Sequence, residues 1–250
     1  MQEVAERSLS KERVKEWLTI CEFNRSPHPK TVENIYDNYV KNEFVDLFGI
    51  VGDEAVFPFF VLIQNEMDDE SYYKVLGRVL TCETYSADVK ELMRFFLNNP
   101  NRNNSLKHNM MNEEELLKLD SLPEEISIFR GTRIESIGGY SWTLDVRHAE
   151  FFAKRHNNSR RYPIIVQGTC LKSDVIAFFS REDEIFISPE HVSNSKIIKF
   201  VKDVFNHSSN PKLSGHLNVL EKLRASKEYR ELEYLAKKTV LNPNQQKGAK

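Results

Sequence analysis

Cysteine is scarce in this chain. Cys21, Cys82 and Cys170 are odd in number, far apart and without zinc-ligand spacing. A disulfide framework is therefore not expected, and a reducing cytosol suits the sequence best. The seven histidines are equally scattered, with no pair spaced as on a metal-binding helix, so no metal is expected. Long apolar runs are missing as well: the longest, Ala55 to Ile63, is interrupted by Pro58 and falls far short of the ~20 residues a membrane helix needs. No basic start leads into an apolar run, so the expectation is a cytoplasmic protein with no membrane partner. No Gly-x-Gly-x-x-Gly follows a strand-like segment, which argues against a dinucleotide dehydrogenase. No internal repeat is visible.

What is present is a globular composition with a divided charge. The 250 residues are 40% hydrophobic, enough for a real core, and carry a formal net charge of −2. Residues 1–127 hold 14 Lys+Arg against 24 Asp+Glu, a net of −10, and residues 128–250 hold 21 against 13, a net of +8. The second half would attract phosphates, unless the two signs serve to join two lobes.

Helical spacing dominates the front of the chain. Ser10 caps a helix with Val14, Trp17, Leu18 and Cys21 on one face, stopped at Ser26-Pro27-His28-Pro29. Thr31 is the expected cap of a second helix, whose broad apolar face runs from Val32 to Leu47. Further helices are expected at about 54–64, 71–81 and 87–97, the last capped by Ser86. The polar stretch from Asn98 to Asn104 is the best breaker. A short acidic helix near 112–119 then gives way to β-rich runs at 126–130, 164–170, 175–179, 184–187 and 197–205, with a helix over 145–155. A final helix is expected over about 215–238, with a frayed end from Asn242. The expected divisions are a helical lobe (1–110), a core (111–206) and a C-terminal basic helix with tail (207–250).

Three short pieces of the second half suit one chemistry: Ile128-Phe129-Arg130-Gly131, Tyr140-Ser141-Trp142-Thr143 and Glu182-Asp183-Glu184-Ile185-Phe186-Ile187. An arginine at a strand end holds a rigid fork for two-point oxyanion contacts. Gly131 after it lets a flat ring approach the backbone, although an isolated Arg-Gly is ordinarily a surface arginine before a turn. Ser141 and Thr143 stand ahead of a helix, where hydroxyls commonly cap amides. Glu182 and Glu184, two apart on a strand, would share a face, and paired carboxylates gain from that only with a ligand or cation between them. An acidic solvated turn is the alternative. Together the pieces could hold a charged dinucleotide and stabilise a sugar cation.

Their order, with Ser141 following Arg130 by 11 residues and Glu184 following Ser141 by 43, resembles the arginine–serine–glutamate branch of the NAD-dependent mono-ADP-ribosyltransferases, which includes bacterial toxins and phage-encoded enzymes. The resemblance covers roughly residues 125–205. It implies an α+β protein with a helical lobe followed by an ADP-ribosyltransferase-like split β-sandwich with flanking helices. It implies NAD as co-substrate, with Arg130, Gly131, Ser141, Thr143, Arg160, Arg161 and Tyr162 as its contacts. Glu184 would be the catalytic carboxylate, ordered by Ser141, while Glu182 faces the nucleophile and Phe178 and Phe179 recognise the acceptor. The two phenylalanines read equally well as strand core, and Arg160 and Arg161 as a solvated basic helix end. The match departs from the family at Trp142, where a Ser-Thr-Ser pattern is common. The implied function is transfer of ADP-ribose to a nucleic-acid base or a protein arginine, by a toxin, phage-defence or phage effector that a neutralising antitoxin could restrain. An NAD glycohydrolase and a non-catalytic binding module with the same fold are the alternatives.

Overall fold

A computed structural model describes residues 9–21, 27–82, 90–155, 163–201 and 221–241. Two compact units emerge, one holding the described residues up to Lys107 and those from 221 on, the other those from His108 to Val201. Helices and one antiparallel sheet give the expected α+β class.

In the first unit, Ser10 caps α1 (Lys11–Cys21), accepting from the Arg13 N–H at 3.2 Å. α2 (Pro29–Lys41) begins before Thr31: His28 is its cap, with Nδ1 accepting from the Lys30 N–H at 3.2 Å. Pro29 fills the first turn, where its missing N–H costs nothing. The apolar face expected to be one helix is broken at Asn42, whose left-handed φ of 61° turns its N–H back onto the carbonyls of Asn38 and Tyr39. α3 (Phe44–Ile50) follows. α4 (Asp53–Ile63) is buried on every side from Ala55 to Ile63, and that burial outweighs the backbone bond forfeited at Pro58. Asp68 caps α5 (Asp69–Thr81), accepting from the Ser71 N–H at 2.9 Å. In α5, Tyr72 lies fully buried with the Arg102 guanidinium 4.4 Å from its ring centre. α6 (Lys90–Leu97) lies within the helix expected over 87–97, while its expected cap Ser86 lies outside the described residues.

The second unit carries the sheet. Asn112 and Glu115 form a capping box at the start of α7 (Glu113–Asp120). The strands are β1 (Glu125–Arg133), β2 (Ser141–Thr143), β3 (Pro163–Leu171), β4 (Val175–Phe179), β5 (Glu184–Ile187) and β6 (Ser193–Phe200), in the spatial order β4-β5-β2-β1-β3-β6. α8 (Val146–Arg155) connects β2 towards β3. β1 pairs with β3 at every residue from Glu125 to Arg133, but with β2 only through Phe129 and Thr143. The sheet is thus two three-stranded halves joined at one residue pair. β2 was not expected, because three residues are too few to show a period. β6 begins four residues before the run expected at Ile197.

Alternation along the strands sets the two faces. Ile126, Ile128, Trp142, Ile164, Val166, Phe178, Ile185 and Ile187 form one buried cluster, each such side chain contributing about 1.5–3 kcal/mol. On the other face, Ala149 and Ala153 of α8 pack with Ile165, Val201 and Phe129.

α9 (Lys227–Leu241) returns to the first unit, burying Tyr229 and Leu232, and Arg13 Nη2 meets Glu228 Oε1 at 2.9 Å. It is therefore part of the helical lobe, not the separate C-terminal segment expected. Residues 202–220 and the expected tail from Asn242 lie outside the described residues. Among the described residues no helix is long and apolar enough to cross a membrane.

Candidate active site

β1 carries Arg130 one residue beyond Phe129, its single pairing to β2. The guanidinium lies against Gly139, where a Cβ would stand 2.1 Å from Nη2 and 2.3 Å from Cζ. Any side chain there would displace the guanidinium. Nη1 donates to the carbonyl oxygen of Ser141. Nε is sealed from solvent and has no hydrogen-bond partner among the described residues, an arrangement that costs free energy unless something else uses the donor. Burial pushes the guanidinium pKa down to about 10, against the opposing pull of the Glu184 carboxylate. Arg130 therefore stays charged at neutral pH, and Glu184 is its electrostatic counterpart.

The short strand β2 links the two. Thr143 is opposite Glu184, Trp142 opposite Ile185 and Ser141 opposite Phe186. Cross-strand partners share a face, so Ser141, Thr143, Glu184 and Phe186 lie on the side away from the Trp142–Ile185–Phe178 core. The departure at Trp142 is accounted for by that alternation: its indole fills the core, and its Nε1 donates to the Gly139 carbonyl at 3.0 Å. Tyr140 stacks on Phe186, with ring centres 5.4 Å apart and planes at 16°.

Glu182 and Glu184 do not share a strand. Glu182 ends a single 3₁₀ turn from Ser180, Asp183 takes a left-handed φ of 46°, and β5 begins only at Glu184. The same-face reasoning for the two carboxylates therefore does not hold. The turn is bolted in place instead. The Glu182 carbonyl accepts from Thr143 Oγ1 at 2.8 Å and from His148 Nδ1 at 2.9 Å, and the Asp183 carbonyl accepts from the Leu144 N–H at 2.9 Å. On its other side, Glu115 Oε1 accepts from the Ser180 N–H at 3.0 Å.

Several expected contacts have other employment. Gly131 was read as leaving space for a ring, but a Cβ there would stand 1.7 Å from the Ala149 carbonyl oxygen, so its bareness admits α8 against β1. Thr143 is buried, its hydroxyl donating to Glu182 and accepting from the Asp145 N–H at 3.1 Å, which leaves little for a cofactor. The cap of α8 is Asp145 rather than Ser141 or Thr143: it accepts from the Arg147 N–H at 2.8 Å. Hydrogen bonds from the Arg147 guanidinium and N–H hold the Asp145 carboxyl down to about 2. Phe178 and Phe179 are buried in β4, which removes them from acceptor recognition and makes them strand core. Arg160, Arg161 and Tyr162 lie outside the described residues. On α8, Glu150 binds Lys154 at 3.1 Å and Lys199 of β6 at 3.0 Å.

Arg130 thus meets the backbone of Ser141 and feels the charge of Glu184, with Gly139 and His148 as neighbours that sequence reasoning missed and Tyr140 as one to which it gave no role. The Gly138-Gly139 pair was the one available signal. Comparison with family models, with curated proteins and with solved structures finds no match to the chain.

Proposed function

We propose that this chain is an NAD-dependent mono-ADP-ribosyltransferase whose second unit is an ADP-ribosyltransferase-like split β-sandwich. The observation that carries the proposal is the half-buried Arg130, anchored on Ser141, fitted to Gly139, coupled to Glu184 across β2 and left with an unpartnered Nε. A cation and a carboxylate on the two strands that flank β2 suit a substrate with negative charge at one end and developing positive charge at the other. The junction of two three-stranded halves supports the split architecture.

NAD would supply an activated bond between its ribose and nicotinamide. Arg130 would bind pyrophosphate or ribose oxygens through the edge that does not hold Ser141, and its orphaned Nε is a donor in need of an acceptor. Tyr140, stacked on Phe186, offers a flat wall beside Ser141. The Glu184 carboxylate would stabilise the positive charge that builds on the sugar as the bond to nicotinamide breaks. Glu182, at the end of a pinned turn, would orient the incoming nucleophile, which bonds to the ribose carbon and gives up a proton. The acceptor would be a nucleic-acid base or a protein arginine in the cytosol, in keeping with a toxin, phage-defence or phage effector.

Labelled NAD incubated with the chain and cell lysate, followed by protease or nuclease digestion of the product, tests the transfer and identifies the acceptor class. Glu184→Gln should reduce both transfer and NAD hydrolysis about a hundredfold or more while leaving the fold and most NAD affinity intact. Near-normal turnover in that variant would sink the assignment. Hydrolysis without any labelled macromolecule would make water the acceptor.

A further inference from the structure

The two edges of the sheet are treated differently. β4, at one edge, is covered: the Phe178 N–H meets Met111 Sδ at 3.1 Å, and just past its end the Ser180 N–H meets Glu115 of α7. β6, at the other edge, has all eight residues exposed. Among the described residues its backbone pairs only with β3, leaving its outer row of donors and acceptors open. Three of the eight exposed side chains are large and apolar. Ile197, Ile198 and Phe200 are 37%, 42% and 59% exposed. A bulge sets Lys199 opposite Ile165 and Ile197 opposite Val166, so Ile198 has no β3 residue facing it.

We propose that β6 is a docking edge that takes an extended acidic and apolar segment of a partner protein as a seventh strand of the sheet. Backbone pairing would supply the attachment, and Ile197, Ile198 and Phe200 would receive the apolar side chains of the added strand. Charge selects the occupant. Lys196 has no acidic partner among the described residues, and Lys199 shares the single carboxylate of Glu150 with Lys154. A second copy of β6 laid against this one would oppose lysine to lysine, which disfavours pairing. A strand with glutamates at those places would pair with them. The lysines that guard the edge against self-association thereby specify an acidic guest.

Two fluorescein-labelled peptides of eight residues, matching β6 in length, test this: one alternates glutamate with valine, the other lysine with valine. Each is titrated into the full chain while hydrogen exchange is followed at the β6 amides. The glutamate peptide should bind, slow exchange in β6 and leave β4 unaffected. Lys196→Glu, a change at an exposed position, should weaken that peptide by about fivefold or more and favour the lysine peptide. Ile198→Pro should abolish binding, because proline disrupts an edge strand's ladder. Unchanged β6 exchange with the glutamate peptide, or an unchanged preference in Lys196→Glu, overturns the proposal. β6 protection that instead rises with protein concentration alone would identify a second copy as the occupant and overturn it equally.

Discussion

Gly131→Ala separates packing from ligand approach at the residue beside Arg130. The added methyl would stand 1.7 Å from the Ala149 carbonyl oxygen and 2.6 Å from the Ala153 nitrogen. Both obstacles are backbone atoms of α8, so no rotamer change relieves them and the helix itself must retreat. Restoring an ordinary contact of ~3.5 Å requires a shift of roughly 2 Å. That shift opens the cluster in which Ala149 and Ala153 meet Ile165 and Phe129. Overpacking usually costs ~1–3 kcal/mol, and a clash with two regular elements belongs at the upper end, about 3 kcal/mol. At ~4–8 °C per kcal/mol for a unit of this size, the Tm should fall by roughly 12–24 °C. The chain has two tryptophans, Trp17 and Trp142. In a Trp17→Phe background, thermal unfolding followed by fluorescence therefore reports the second unit alone. NAD titrated well below the transition should still bind. An unchanged Tm with lost NAD binding would refute the packing account and restore Gly131 to the ligand.

Gly139→Ala should do the reverse. The nearest obstacles to its methyl are side-chain atoms of Arg130 rather than backbone, so the Tm should fall less than in Gly131→Ala, while loss of the Arg130 position should lower NAD affinity about tenfold or more; calorimetry showing full affinity would detach Arg130 from the ligand. Arg130→Lys should weaken NAD binding as well as turnover, because an ammonium lacks the planar fork, and unchanged affinity by the same titration would return Arg130 to a structural role. The capping contribution of Asp145 should be complete above the ordinary aspartate value and be lost as pH falls from about 3.8 through about 2, since its folded pKa is depressed. A carboxyl NMR titration with a midpoint near 3.8 would contradict the Arg147 contacts as its cause.

The long elements were legible because their periods are long. α1, α5 and β3 announce themselves through spaced apolar residues, and the shorter β4 and β5 fall at the expected positions, Val175–Phe179 and Glu184–Ile187. Local backbone events were not legible. Asn42 and Asp183 both take positive φ, and each divides what reads as one continuous element; a single asparagine or aspartate carries too weak a signal to mark the break. The site was legible in its types and not in its wiring. Arg130, Ser141 and Glu184 were singled out as candidates by order and spacing, but the tie from Arg130 runs to the Ser141 carbonyl, which no side-chain identity can encode. Gly131 and Gly139 illustrate the same limit. Both glycines answer a close approach, one to α8 and the other to Arg130, and sequence alone gives no reason to assign them in that way.

That wiring gives the weak seam in the sheet a physical role. β1 and β2 meet only at Phe129 and Thr143, so further along the two strands have no mutual ladder to satisfy them. Arg130, the next residue of β1, reaches into the seam and supplies a side-chain donor to the Ser141 carbonyl in place of a backbone one. Thr143, on the other strand, turns its hydroxyl to Glu182 and thereby fixes the turn from which Glu184 starts. The pairing that ordinary β-structure would have used up is spent on holding one cation and one carboxylate on either side of β2. A fully zipped β1–β2 ladder would bury its edges in backbone bonds, with no need for Arg130 at the junction. The opening between the half-sheets and the charge pair beside it are therefore one structural decision, made where β2 is cut to three residues.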